Sequence, residues 1–160
     1  MSNNERSPLV EGAISALLGA SALLDPVRLR AWDNDGLTVT QLRVLGHLLE
    51  KEGLSNAELA ERLYVTRPSV SALLERLERG GFIRREVAPN DRRGICIWLE
   101  PRGRQEISSF REEIRAYSAG LMSEMTEADL NAFTASLLRF IEAGRSRRMK
   151  DLRNEPDAGS

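Results

Sequence analysis

"TRPSVSALLERLERGGFI", from Thr66 to Ile83, reads as one helix with two unlike ends. Val70, Leu73, Leu74 and Leu77 fall at i, i+3, i+4 and i+7, so they share one face of an α-helix. Thr66 is placed to cap the N-terminus. Pro68 suits a first turn, where a missing N–H costs nothing, and Gly80-Gly81 supply a left-handed stop. The first turn carries Arg67, Pro68, Ser69 and Ser71, a basic, hydroxyl-bearing tip with no acid before Glu75. The positive end of the helix dipole lies there too, so the tip suits an anion.

Upstream, the helix signals continue. Ser55 and Glu58 form an S-x-x-E capping box for a short helix with Leu59, Ala60 and Leu63 inward, and only Tyr64-Val65 separate it from Thr66. Thr38 and Gln41 form a T-x-x-Q box for another helix, with Leu42, Leu45, Leu48 and Leu49 as its stripe and Gly53 expected to end it. "DNDG" (Asp33–Gly36) is expected to be a turn. Leu9 to about Arg30 is expected to form the first helix, kinked or broken at Pro26.

Downstream, Phe82–Val87 and Ile95–Leu99 are expected as strands joined by a polar turn, Ala88–Arg93. Ile95, Ile97 and Leu99 would share one face of the second strand, with Cys96 and Trp98 on the other. Pro101 opens a long helix whose Ile107, Phe110, Ile114, Tyr117 and Leu121 step by three and four, a narrow coiled-coil-like seam. Thr126 caps a last helix with Leu130, Phe133, Leu137, Phe140 and Ile141 on one side. It is expected to end near Gly144, before a basic "RSRRMK". Met1–Ser7 and Asn154–Ser160 read as disordered ends.

The expected fold is mainly α with a small β wing, a winged helix-turn-helix flanked by N- and C-terminal dimerisation helices. Its expected divisions are 1–34 for the first helix, 35–100 for the winged domain, 101–150 for the last helices and 151–160 for a disordered tail. In helix-turn-helix proteins the free end of the recognition helix enters the major groove. Arg67, Pro68, Ser69 and Ser71, with Arg76 further along, are therefore the expected DNA-binding residues of the helix. Asp91, Arg92 and Arg93 at the hairpin apex are expected to place an Arg in the minor groove, where negative potential is focused.

Bulk charge implies no partner, and the distribution of charge fits equally an anionic partner and a solvated surface with scattered salt bridges. The 160-residue chain carries a net charge of −1, with 41% apolar and 29% charged residues. The charge is unevenly spread: Thr66–Arg104 holds nine Arg, no Lys and five acids, a local net of +4. Arg makes forked contacts to phosphate and guanine that Lys cannot copy. One cysteine, Cys96, excludes an intrachain disulfide, and with a single histidine, His47, it cannot complete a structural zinc site. No cofactor or metal is expected. The lone His has no evident catalytic partner and no G-x-x-x-x-G-K-S/T loop occurs, so an enzyme is not expected. Leu9–Leu24 is apolar but short and contains Glu11, and Met1–Pro8 is unlike a signal peptide. The expected setting is cytoplasmic, with no membrane partner.

Glu75-Arg76-Leu77-Glu78, Gly81-Phe82-Ile83, Asp91-Arg92-Arg93, Leu99 and Gly103 resemble the recognition-helix and wing segment of MarR-type transcriptional regulators. The resemblance covers about Leu37 to Arg104. It departs at Glu100, where the family usually has a better-capping Thr. The resemblance implies a homodimer built from the first, fifth and sixth helices. It implies a ligand-responsive regulator, most often a repressor, reading a palindromic operator with half-sites about 34 Å apart. It further implies a small phenolic or lipophilic effector, or a redox-active Cys. Cys96 lies in the wing strand, where a plain strand residue is the competing reading. A ligand pocket would lie near Trp32 and His47, which read otherwise as a core aromatic and a structural helix residue. The alternative function is a winged-helix protein-interaction module without DNA binding. Its expected mark, acid or apolar residues at the recognition tip, is absent.

Overall fold

The computed structural model describes residues 7–88 and 91–154. In chain order the elements are α1 (Pro8–Ala22), α2 (Asp25–Asp35), α3 (Val39–Glu50), β1 (Leu54–Ser55), α4 (Asn56–Leu63), α5 (Arg67–Arg79), β2 (Ile83–Ala88), β3 (Asp91–Leu99), α6 (Pro101–Leu121) and α7 (Glu127–Asn154).

Both capping boxes form. Thr38 Oγ1 accepts from Gln41 N while the Gln41 side chain reaches back to Thr38 N at 2.9 Å. Ser55 and Glu58 do the same, with Ser55 N donating to Glu58 Oε2 at 2.8 Å. These bonds satisfy orphan helix donors and fix where α3 and α4 begin. The stripes on α3, α4 and α5 then close on one another: Leu45, Leu48, Leu59, Leu63, Leu74 and Leu77 are fully buried. Ile83 and Ile97 cover this core from the sheet, and Ile107 seals it from α6. Each such side chain contributes about 1.5–3 kcal/mol by leaving water.

The structure corrects several sequence expectations. Asp33–Asp35 is the last turn of α2, not a loop, and Gly36 alone turns left-handed behind it. A residue's short polar side chain does not stop a helix that is docked along one side. The first helix breaks at Leu23-Leu24, which leaves Pro26 in the first turn of α2, where it is tolerated. The polar turn is shorter than expected, because the ladder extends until Ala88 pairs with Asp91. A third strand was not anticipated: Leu54 and Ser55 pair with Ile97 and Cys96, giving the sheet order β1-β3-β2. Two residues are too few for a periodic signal. The last helix passes through Gly144 to Asn154, since a single Gly costs a helix only about 1 kcal/mol.

α1 and α7 stand away from this core. No residue of α1 is buried, and Leu9 and Leu18 are 84% and 65% exposed. Leu138, Phe140 and Ile141 of α7 are exposed as well. The Pro8–Asp35 stretch has the length and apolar composition to cross a bilayer. However, it is split into two helices, Val27 is buried in the core, and Arg30 pairs with Glu113 of α6.

Candidate nucleic-acid interface

α5 is seated by Val70, Leu74 and Leu77, which turns Arg67, Pro68, Ser69 and Arg76 to the surface. The seating depends on a tight turn. Tyr64 adopts the left-handed conformation (φ 57, ψ 48) and Val65 N donates to Ala60 O at 3.0 Å. That conformation costs an L-residue about 1–2 kcal/mol, which the packing of α4 against α5 offsets. At the tip, Thr66 Oγ1 accepts from Ser69 N, and the two hydroxyls lie 2.9 Å apart. The tip therefore offers paired hydroxyls and the Arg67 guanidinium with no carboxylate in its first turn.

Ser71 is bonded within the domain. Its Oγ donates to Arg67 O at 3.1 Å and accepts from Asn56 Nδ2 at 2.7 Å. Together these bonds tie α4 to α5 through this hydroxyl, which keeps one acceptor lone pair. Nothing in the residue spacing shows that α4 would present Asn56 to it.

The wing is tied to α5 at its base. Arg85 Nε lies 3.2 Å from Glu78 Oε2, an ion pair that misses hydrogen-bond alignment. Arg84 donates to Glu86 at 2.7 Å and to Leu99 O at 3.3 Å, and sits 5.8 Å over the Trp98 ring. The strand register sets Val87 opposite Ile95, and both are exposed. The Asp91, Arg92 and Arg93 side chains lie outside the described residues, although their backbone belongs to β3. The basic run thus divides. Arg84, Arg85, Arg102 and Arg104 are engaged in ion pairs with Glu86, Glu78, Asp35 and Glu52. Arg67, Arg76 and Arg79 are exposed on α5. Composition alone could not separate the two sets. Cys96 is half-buried beside Ser55 and Glu86 across the ladder.

A second feature lies between the winged domain and the long helices. A cavity of about 730 Å³ is walled by α2, α3, α4, α6 and α7. Arg28, Arg43, His47, Arg62, Arg111 and Arg145 line it against one acid, Glu50. Arg111 Nη2 donates to Gly46 O at 3.2 Å and to Glu50 Oε1 at 2.6 Å. Leu24, Ile107, Phe110 and Ile114 supply an apolar wall. Burial pushes the His47 pKa down, and Arg62, Arg43 and Arg111 add to this while Glu50 opposes it. His47 therefore belongs to the cavity. Trp32 does not: it is exposed, away from this wall, and is not a core aromatic either. The arginines are the part the sequence reading missed. Arg43 and His47 are four apart on α3, and that i,i+4 spacing was the available signal. Among the described residues no cluster of three or more His, Cys, Asp or Glu could hold a metal.

Comparison with known proteins bears on the same region. A family model described as MarR family matches residues 35–94. The homoprotocatechuate degradative operon repressor of Escherichia coli is 30% identical over 111 residues, covering 69% of this chain and 75% of that protein. The HTH-type transcriptional repressor MdtR of Bacillus subtilis (strain 168) is 29% identical over 130 residues, covering 79% of this chain and 84% of that one. The crystal structure of the transcriptional regulator SlyA superposes with a TM-score of 0.73 over 89% of this chain and 98% of its own, at 18% identity, a likeness of fold. By its two capped helices, its wing and these relatives, the chain belongs to the MarR family of winged-helix transcription regulators.

Proposed function

We propose that the chain is a homodimeric repressor that reads a palindromic operator and releases it when a small anionic molecule fills the cavity beside α3. The carrying observation is the N-terminal turn of α5: basic, acid-free, hydroxyl-lined and exposed, on a helix whose other face is locked into the core. Such a tip fits the major groove, with Arg67 to a phosphate or guanine and Ser69 to a base edge. Arg76 extends the contact along the helix. The wing, with Asp91, Arg92 and Arg93 at its apex, is assigned to the adjacent minor groove. α1 and α7 expose apolar faces that a second copy would cover, and this pairs two recognition helices on one side of a duplex. The charge at Arg30 and the docking of Val27 favour a partner helix over a lipid bilayer for this stretch, and the setting is cytoplasmic. A cavity of this volume fits a drug-sized ligand, and its excess of arginine over Glu50 favours an anion with an apolar body.

Selection from a random duplex library with the full chain tests the reading. The expected product is a palindrome with half-sites about one helical turn apart, bound with affinity that falls steeply with salt. Arg67→Ala should lower the salt slope by about two, one phosphate contact in each subunit, and Ser69→Ala should relax base preference inside the half-site. Selection that yields no palindrome, or binding indifferent to salt, refutes the proposal.

A further inference from the structure

We infer that Arg102 is a positioning residue that sets the recognition helix relative to the dimerisation helices, by forking between the end of α2 and the end of α5. Arg102 stands in the first turn of α6. Its Nη1 donates to the Gly80 carbonyl at 2.9 Å, behind the last residue of α5. Its Nη2 donates to Asp35 Oδ1 at 3.3 Å, the last residue of α2. The guanidinium plane lies 4.3 Å from the centre of the Phe82 ring, which fixes the fork's height.

Each partner suits a guanidinium. A helix C-terminus leaves carbonyls unsatisfied and carries the negative end of the dipole, so Gly80 O is a strong acceptor. Asp35 also faces a second carboxyl, Glu106, one turn along α6, whose pKa is raised by burial and by the neighbouring Asp35. That excess of negative charge favours a guanidinium beside Asp35. The other side-chain ties from α6 reach different elements: Arg111 meets α3, Glu113 meets Arg30 of α2, and Arg104 meets Glu52. Arg102 is the described α6 side chain that bonds to the end of α5.

The lever is long. α5 has 13 residues and so spans about 20 Å, which means a 5° tilt at Gly80 moves the DNA-facing turn by about 1.7 Å. In a dimer both helices move, so the distance between the two recognition tips changes by up to about 3.4 Å, one base-pair rise. A Lys at this position keeps the charge but has no planar fork to hold two acceptors at fixed angles.

This inference rests on the proposed DNA-binding dimer. Full-length wild type, Arg102→Lys, Arg102→Ala and Arg102→Ala/Asp35→Ala are compared on one random duplex library and on the site that wild type selects, with thermal midpoints recorded. Both Arg102 variants should bind the wild-type site about two- to fivefold more weakly, the scale of an exposed ion pair and its companion bond. Their salt slope should not change, because no phosphate contact is removed. Their selected sites should spread in half-site spacing, which loss of stability alone would not produce. Adding Asp35→Ala should weaken binding no further. Unchanged affinity and spacing in a folded Arg102→Lys overturns the inference, as does a salt slope lowered by about two in Arg102→Ala, which would make Arg102 a phosphate contact in each subunit. If wild type selects no palindrome, the DNA-binding reading fails first and takes this inference with it.

Discussion

Gly103→Ala tests the joint between α6 and the wing base. A Cβ built on Gly103 falls 2.0 Å from the Phe82 carbonyl oxygen, 2.9 Å from its carbon and 3.2 Å from its Cα. An ordinary C···O contact is about 3.3 Å, so α6 and the Phe82 peptide must separate by about 1.3 Å. The obstacle is backbone and has no rotamer with which to escape. The same oxygen accepts from Glu100 N at 3.0 Å, and that separation breaks the bond. Overpacking costs about 1–3 kcal/mol and the lost bond about 0.5–1.5, against about 1 gained from the better helix former. The net is a loss of about 2 kcal/mol. Urea unfolding followed by far-ultraviolet circular dichroism, at one fixed chain concentration because the proposed dimerisation would couple to folding, reads this directly. Gly144→Ala is the control: its Cβ meets nothing within 4 Å in the chain, and it should be neutral or slightly stabilising. If Gly103→Ala unfolds within about 0.5 kcal/mol of wild type, the close approach does not govern this joint.

Two further predictions concern the site. Ser71→Ala should lower stability by about 1 kcal/mol through the lost Asn56 bond, yet leave base preference as in wild type. A changed preference in a selection experiment would return Ser71 to the DNA-facing set. The pKa of His47 is held below its ordinary 6.5 chiefly by burial, so the unfolded chain protonates first as pH falls. That part of the stability is full above pH 6.5 and declines from there down to the folded value. His47→Gln should flatten the decline in thermal midpoints measured between pH 7 and pH 5, and an unchanged profile would show that His47 does not cause it.

The sequence alone determined α3, α4 and α5, their caps and the faces they bury. Each is a local matter: T-x-x-Q, S-x-x-E and the 3–4 spacing of leucines act within one or two turns. It also determined that α5 has a basic, acid-free tip, because net charge in one turn is a count of neighbours along the chain. Boundaries were less legible. Gly144 and Asp33–Asp35 carry stop signals worth about 1 kcal/mol or less, which continuing helix contacts outweigh.

Tertiary structure alone decided which arginines remain free. Arg102 and Arg104 look like Arg67 and Arg76 in the sequence, but carboxylates distant in the chain, Asp35 for Arg102 and Glu52 for Arg104, meet them only once the core has closed. The same holds for Ser71, bonded by Asn56 fifteen residues away, and for the cavity, whose cationic wall gathers five helices. Helix propensity and capping are properties of neighbours along the chain. Pairing, burial and cavity charge are properties of neighbours in space, and no short window of sequence contains them.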